Sequence, residues 1–141
     1  MNFYFAYGSN MWREQMQDRC PNHQVIGSGV LKGYRWIIST RGYANIVKSS
    51  LEVVHGVVYA ISGSDEQNLD DCEGVNQGSY VKVHLSVEIN NLPTICLVYV
   101  DPTEEEGLAE FEYIDRIKKG IADAGLPADY VGRCIRKFIT R

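Results

Sequence analysis

Unbroken hydrophobic stretches are missing from this 141-residue chain. The most apolar segment, Val53 to Ile61, has His55 and Gly56 inside it and falls well short of the roughly 20 residues a spanning helix needs. A membrane partner is not expected. Basic runs are missing as well: 14 Lys and Arg against 18 Asp and Glu leave a formal net charge of -4 and a sequence pI of about 5.3. That balance gives phosphate backbones no electrostatic footprint, so nucleic acid is not expected as a partner. The four cysteines, Cys20, Cys72, Cys96 and Cys134, form no CxxC pair and have no His at finger-like spacing. A metal site is therefore not expected, and buried free thiols are. No GxGxxG, P-loop or GxSxG occurs, which removes the common nucleotide folds and the serine-nucleophile elbow. The start, Met1-Asn2-Phe3-Tyr4-Phe5, lacks the basic and apolar regions of a signal peptide, and the expected address is the cytoplasm.

What is present fits one domain over residues 1–141, of a size that buries most of its unfolded surface. Phe3, Phe5 and Tyr7 alternate with Tyr4 and Ala6 as in an aromatic strand, which stops at Gly8-Ser9-Asn10. Ser9 or Asn10 is placed to cap a helix containing Met11, Trp12, Gln15 and Met16, which Pro21 cannot continue. Short β-rich runs follow: Val25-Ile26, Val30-Leu31, Tyr34 to Ser39, Ala44 to Val47 and Val53 to Ile61, punctuated by Gly27, Gly29, Gly33, Gly42 and Gly56. Short strands with glycine turns or bulges predict a curled, barrel-like sheet. Ser64-Asp65-Glu66-Gln67 has the capping-box form and predicts a short helix through Leu69 and Cys72, ended by Gly74. Tyr80 to Ile89 alternates as a half-buried strand, and Asn90-Asn91 turns it into Thr94 to Val100. Glu104-Glu105-Glu106 reads as a solvated helix start, Ile114, Ile117 and Ile121 mark a helix face, and Gly125 and Pro127 precede a last helix with Val131, Cys134, Ile135 and Phe138 inward.

Two places carry the ingredients of chemistry. At Tyr7-Gly8-Ser9-Asn10 a strand turns directly into a helix N-terminus, which leaves backbone N–H groups aimed outward where the dipole favours negative charge. Such a turn can hold a carboxylate or an oxyanion, with Ser9 and Asn10 adding side-chain donors; a plain capped turn accounts for the same letters. Glu73 lies four residues after Leu69 and so on the face that Leu69 turns inward. It also sits in the last helical turn beside Asp70 and Asp71, against the macrodipole. Those conditions favour a protonated carboxyl able to accept and donate a proton, while an exposed helix-end Glu is the other reading. His23, His55 and His84 fall in separate contexts and suggest no ligand set. Tyr7, Tyr80 and Tyr113 are each able to place a hydroxyl in a pocket.

Taken together, Tyr4-Phe5-Ala6-Tyr7-Gly8-Ser9-Asn10-Met11, Gly56-Val57-Val58-Tyr59, Asp71-Cys72-Glu73-Gly74-Val75 with Gly78-Ser79-Tyr80, and Gly125-Leu126-Pro127 with Tyr130 resemble the γ-glutamylcyclotransferase family over nearly the whole chain. The resemblance implies an α+β fold, a small mixed β-barrel with flanking helices. It also implies an enzyme that converts a γ-glutamyl amino acid or amine to 5-oxoproline without a metal or organic cofactor. By the same resemblance the glutamyl group binds at Tyr7, Gly8, Ser9 and Asn10, Glu73 is the acid/base, and Tyr80 and Tyr113 line the pocket. Ser9-Asn10 is nearer the branch acting on γ-glutamyl amino acids than the branches with Thr-Leu or Ser-Leu at that place. Met11 stands where Leu is frequent, and Arg41-Gly42-Tyr43-Ala44-Asn45 is bulkier than expected beside the pocket, which bears on the leaving amine. A homodimer is compatible with the resemblance. Two alternatives stay open: a non-catalytic small-molecule-binding domain on the same fold, and a cyclotransferase for a specialised γ-glutamyl metabolite.

Overall fold

A computed structural model of the chain describes residues 1–140. Five strands close into a barrel in the order β1-β3-β2-β4-β5: β1 (Asn2–Ala6), β2 (Gln24–Ile38), β3 (Ala44–Ile61), β4 (Val81–Ile89) and β5 (Leu92–Val100). Neighbours run antiparallel except β1 and β5, which meet in parallel through Tyr4 and Leu97. The sheet is therefore mixed, and the helices α1 (Arg13–Arg19), α2 (Gly63–Cys72), α3 (Phe111–Ala124), α4 (Ala128–Tyr130) and α5 (Arg136–Ile139) flank it. Residues Val131–Ile135 join the last two as a π-helical turn. This is the α+β barrel expected from the sequence.

Two long strands replace the short runs read from the sequence. Gln24–Ile38 is one strand, and the glycines at 27 and 33 bend it at register shifts opposite β3 instead of ending it. Ala44 to Ile61 is likewise continuous, because Gly56 permits a close approach. A Cβ there would lie 2.2 Å from the carbonyl oxygen of Ala6, so only glycine lets β3 cross β1 at this point. Barrel closure thus uses glycine to curve long strands.

Both faces of β1 are buried, which the simple alternation did not anticipate. Phe5 and Tyr7 join Trp36, Val54, Val58, Val87 and Val98 in one apolar cluster that α3 and the C-terminal segment complete through Ile114, Ile117, Ile135 and Phe138. Tyr4 and Ala6 join Val57, Tyr59, Leu97 and Tyr99 in a second cluster, covered by Met16 and Cys20 of the first helical segment and Leu69 of α2. A strand sandwiched in this way carries aromatics at successive positions, since neither side faces water.

Several local expectations are corrected. Ser9 and Asn10 do not cap α1: Ser9–Met11 is a separate 3-10 turn and Trp12 occupies the cap position without a side-chain bond. The capping box of α2 is formed by Ser62 with Asp65, not by Ser64 with Gln67. Ser62 satisfies the third backbone N–H of the helix and Asp65 returns the bond. Glu104 to Glu106 does not open a helix. Ser39 and Glu106 pair as an isolated β-bridge, and Glu106 binds Arg35 at 2.7 Å. Of the four free cysteines, Cys20 and Cys96 are buried, but Cys72 is exposed and Cys134 half-buried. The Asn90-Asn91 turn, with φ of 51° and 65°, does join β4 to β5 as expected.

Candidate active site

Residues from the N-terminal strand, the middle of the chain and α3 meet around a cavity of about 300 Å³. The strand β1 ends into it with Tyr7, and the 3-10 turn beyond contributes Gly8, Ser9 and Asn10. Its other walls come from the segment after α2, with Glu73, Gly74, Ser79 and Tyr80, from the β2–β3 turn, with Arg41, Tyr43 and Ala44, and from Tyr113 of α3. All seven residues singled out in the sequence, Tyr7, Gly8, Ser9, Asn10, Glu73, Tyr80 and Tyr113, line this one cavity.

The N-terminal turn presents backbone donors. Met11 and Trp12 direct their N–H groups back to the carbonyls of Gly8 and Ser9. Among the described residues, no acceptor takes the N–H groups of Gly8, Ser9 or Asn10, whose local dipoles favour an anion. Side-chain space at Gly8 is closed, because a Cβ would stand 3.0 Å from that of Ala44 and 3.6 Å from the Tyr113 hydroxyl. Asn10 does not offer the free side-chain donor expected of it. It is 4% exposed, its amide donates to the Tyr4 hydroxyl at 2.9 Å, and its Oδ1 accepts from Gln15 and Arg19. Ser9 Oγ accepts from Gln15 at 2.8 Å and retains its own proton.

Glu73 is the last cap residue of α2, its N–H bonded to the Leu69 carbonyl at 2.8 Å, and left-handed Gly74 ends the helix as the sequence predicts. Its side chain is only 17% exposed. Burial pushes the carboxyl above its ordinary range, and the guanidinium groups of Arg19 and Arg41 hold it back. Of the causes read in the sequence, burial is the one that dominates, and neither Asp70 nor Asp71 is among the groups that raise it. Asp70 is engaged elsewhere, with Lys82 at 3.1 Å and the Tyr99 hydroxyl at 2.8 Å. Arg19 is the link between the two motifs, its Nη1 lying 3.1 Å from Asn10 Oδ1 and 4.0 Å from Glu73 Oε1.

The tyrosines contribute rings more than free hydroxyls. Tyr7 donates to the Tyr99 carbonyl at 2.6 Å, and Tyr80 donates to the Ala44 carbonyl at 2.8 Å. Tyr113 accepts the Ala44 N–H at 3.1 Å, so the two tyrosines hold both polar groups of one residue at the start of β3. Burial keeps all three phenols protonated, with Tyr113 pushed up to about 12. Tyr113 alone of the three uses its oxygen here as an acceptor, which leaves its proton for a ligand.

Sequence reasoning missed Arg19, Tyr4 and Arg116 as members of this wall. Arg41 did fall inside the segment flagged as bulky, but size was the only signal; its charge partner, Asp101, is 60 residues away. No grouping of His, Cys, Asp and Glu able to hold a metal occurs among the described residues. His55 instead packs on Tyr130, with ring centroids 4.5 Å apart. Nor is any helix among the described residues long and apolar enough to cross a membrane.

Known proteins resemble this chain in sequence and in fold. The sequence profile of the AIG2-like family matches residues 53–133. The γ-glutamylcyclotransferase of Mus musculus is 30% identical over 138 residues, which cover 90% of this chain and 73% of that protein, and the Homo sapiens protein of the same name is 29% identical over the same span. A solved structure of a γ-glutamyl cyclotransferase superposes with a TM-score of 0.86 at 26% identity, covering 94% of this chain and 85% of that one. YkqA from Bacillus subtilis gives 0.85 at 25% identity, with this chain matching 54% of its length. Sequence profile, similarity over 90% of the chain and barrel agree, and the chain belongs to the AIG2-like family as a γ-glutamylcyclotransferase-like enzyme.

Proposed function

We propose that this enzyme converts a γ-glutamyl amino acid or amine to 5-oxoproline and the free amine, with Glu73 as its acid/base. One observation carries the reading: a desolvated carboxyl shares a single cavity with a turn of unpaired backbone N–H groups. The substrate supplies its own nucleophile. Its α-amine attacks the γ-carbonyl carbon, a new C–N bond closes a five-membered ring, and the bond to the departing amine breaks. No water is consumed, and the proton lost by the attacking amine ends on the leaving one. Holding the substrate folded is a large share of such a reaction, because tethered groups react with very high effective molarity.

Glu73 takes the proton from the α-amine, whose reference pKa is about 7.7 to 8.0, and delivers it to the leaving amine. A carboxyl raised by burial is better matched to both transfers than an ordinary one. The N–H groups of Gly8, Ser9 and Asn10 receive the substrate carboxylate or the oxyanion of the tetrahedral intermediate. Arg41 and Tyr43, on the wall beside Ala44, bear on which leaving amine fits. A pure binder of an anion gains nothing from a buried carboxylate in its pocket, which weighs against a non-catalytic role.

Incubation with γ-glutamyl amino acids, γ-glutamyl amines and glutathione, followed by measurement of 5-oxoproline, tests the reading. Turnover of at least one class is expected, and Glu73→Gln is expected to bind that substrate while losing on the order of 10² to 10⁴ in kcat. Product from none of the panel would favour a binding domain or a specialised γ-glutamyl metabolite. Activity of Glu73→Gln within a few-fold of the parent would remove Glu73 from the chemistry.

A further inference from the structure

Arg41 occupies an unusual position for a residue in an exposed β-turn. Its guanidinium reaches the cavity wall, where Nη1 donates to Asp101 Oδ2 at 2.8 Å and to the Ser79 carbonyl at 3.0 Å. The same group lies over the rings of Tyr80, at 5.5 Å from the centroid, and Tyr43, at 5.7 Å. Asp101 is a firm anchor. Its side chain is 1% exposed and is further held by Ser39 Oγ and the Thr103 N–H, while its backbone exchanges two bonds with the Asn45 amide. A buried carboxylate with this many partners fixes the cation it faces.

The segment that Arg41 grips carries both Glu73 and Tyr80. It leaves α2 through left-handed Gly74, makes a short 3-10 turn at Val75–Gln77, passes left-handed Gly78 and enters β4 at Val81. Inside the segment, Ser79 N–H bonds back to the Gly74 carbonyl at 3.0 Å. Across the cavity, the segment is tied to the start of β3 by the Tyr80 hydroxyl and to the barrel end by Arg41.

We propose that Arg41, anchored on Asp101, is a positioning residue that holds the Glu73–Tyr80 segment over the cavity. The proposal rests on the reading of Glu73 as acid/base. Arg41 acts through Asp101, the Ser79 carbonyl and two aromatic rings at once, and Lys is a poor replacement: its ammonium is a compact, strongly hydrated charge without the delocalised guanidinium that lies over Tyr80 and Tyr43. Its charge has a second effect, for Arg41 and Arg19 are the two cations that favour ionised Glu73. The groups around that carboxyl are Arg19 at the end of α1, Arg41 from the β2–β3 turn, Tyr4 of β1 and Tyr7 just beyond it, Tyr80 from the gripped segment and Tyr113 of α3; Asp71 precedes Glu73 in its own helix, and Arg116 of α3 lines the same cavity.

Two variants of the full chain separate position from charge. Arg41→Lys keeps a partner for Asp101 and a cation near Glu73. Arg41→Met combined with Asp101→Asn removes both charges together and leaves no buried carboxylate alone. Each is followed by thermal unfolding, by the pH profile of kcat and KM for 5-oxoproline formation, and by carbon-13 NMR titration of the Glu73 carboxyl. Arg41→Lys is expected to fold, to lose from tenfold to about a hundredfold in kcat with KM within a few-fold, and to keep the acid limb of its profile in place. The double variant is expected to show the same loss in kcat together with upward movement of both the acid limb and the Glu73 titration midpoint. Parental kcat and an unmoved Glu73 titration in the folded double variant would overturn the proposal. Loss of fold in both variants would assign Arg41 to the frame alone and would overturn it equally. The Glu73 titration reads the effect even if no γ-glutamyl compound is turned over, so failure of the proposed function and failure of this inference give different results.

Discussion

The two faces of β1 are buried almost equally but by unlike chemistry. On one side, Phe5 packs among aliphatic residues and Trp36, where apolar area removed from water supplies most of the stability and the polar tips of Tyr7 and Trp36 are each bonded to a backbone carbonyl. On the other, Tyr4 lies between Tyr59 and Tyr99, and its hydroxyl begins a polar chain through Asn10 to Arg19 and Glu73. A buried polar chain is stable only when every member has its partner, so this face tolerates little change of identity. The apolar face tolerates change in kind and resists change in volume. The difference teaches where the fold is made and where the chemistry is placed, although one five-residue strand serves both.

Three substitutions sharpen or break that contrast. The largest loss of stability is expected from Ile37→Ala, which hollows a fully buried position in the apolar cluster. Denaturant titration should show a loss of about 2 to 5 kcal/mol, while kcat/KM of the folded fraction stays within a few-fold. A specific loss of activity there would break the separation of roles. Tyr4→Phe, on the polar face, strands the Asn10 amide; about 1 to 3 kcal/mol of stability should go with it, but the larger fractional change should be in kcat/KM, because Asn10 orients Arg19 beside Glu73. If Tyr4→Phe lowers stability alone, the polar face is only another core.

The smallest effect concerns Glu73→Gln and runs in the opposite direction. The folded-state pKa of Glu73 lies above its unfolded value, so ionisation weakens the folded form. Its relative contribution to stability is complete below the unfolded pKa, near 4.3, and is lost as pH rises through the folded one. Glu73→Gln mimics the protonated carboxyl, and its melting temperature should exceed that of the parent at neutral pH, with the gain vanishing on acidification below about pH 4. A variant less stable than the parent at pH 7 would mean that the Arg19 and Arg41 contacts outweigh the desolvation of Glu73.

Legibility followed the range of the interaction. The turn after β1, the helix ending at Gly74 and the Asn90-Asn91 hairpin are set by neighbours a few residues apart, and they were readable because Gly, Asn and Ser act on their own backbone. Helix caps were read one step out of place. Ser62 and Ser64 both offer a hydroxyl, and only the path of the chain leaving β3 selects Ser62. The glycines at 27, 33 and 56 were recognisable as special, yet whether each turns a strand or curves it depends on the strand lying opposite. Glu73 stood out for a local reason, its place at the end of α2. Its raised pKa has a non-local cause, burial among residues from β1, α1, α3 and the β2–β3 turn.

By itself, then, the sequence determined a small acidic chain, an aromatic strand ending in a glycine turn, the order of strands and helices, and one carboxylate placed against the local rules. Family blocks extended that to a barrel and an activity. Only the tertiary structure decided that both faces of β1 are buried, that Asn10 is engaged within the frame, and that Arg19 and Arg41 flank Glu73. The physical reason is that periodicity and capping act over a few residues, whereas a buried charge takes its partners from whatever closure of the barrel brings beside it. The bond from Arg41 to Asp101, spanning 60 residues, has no trace in the pattern of either segment.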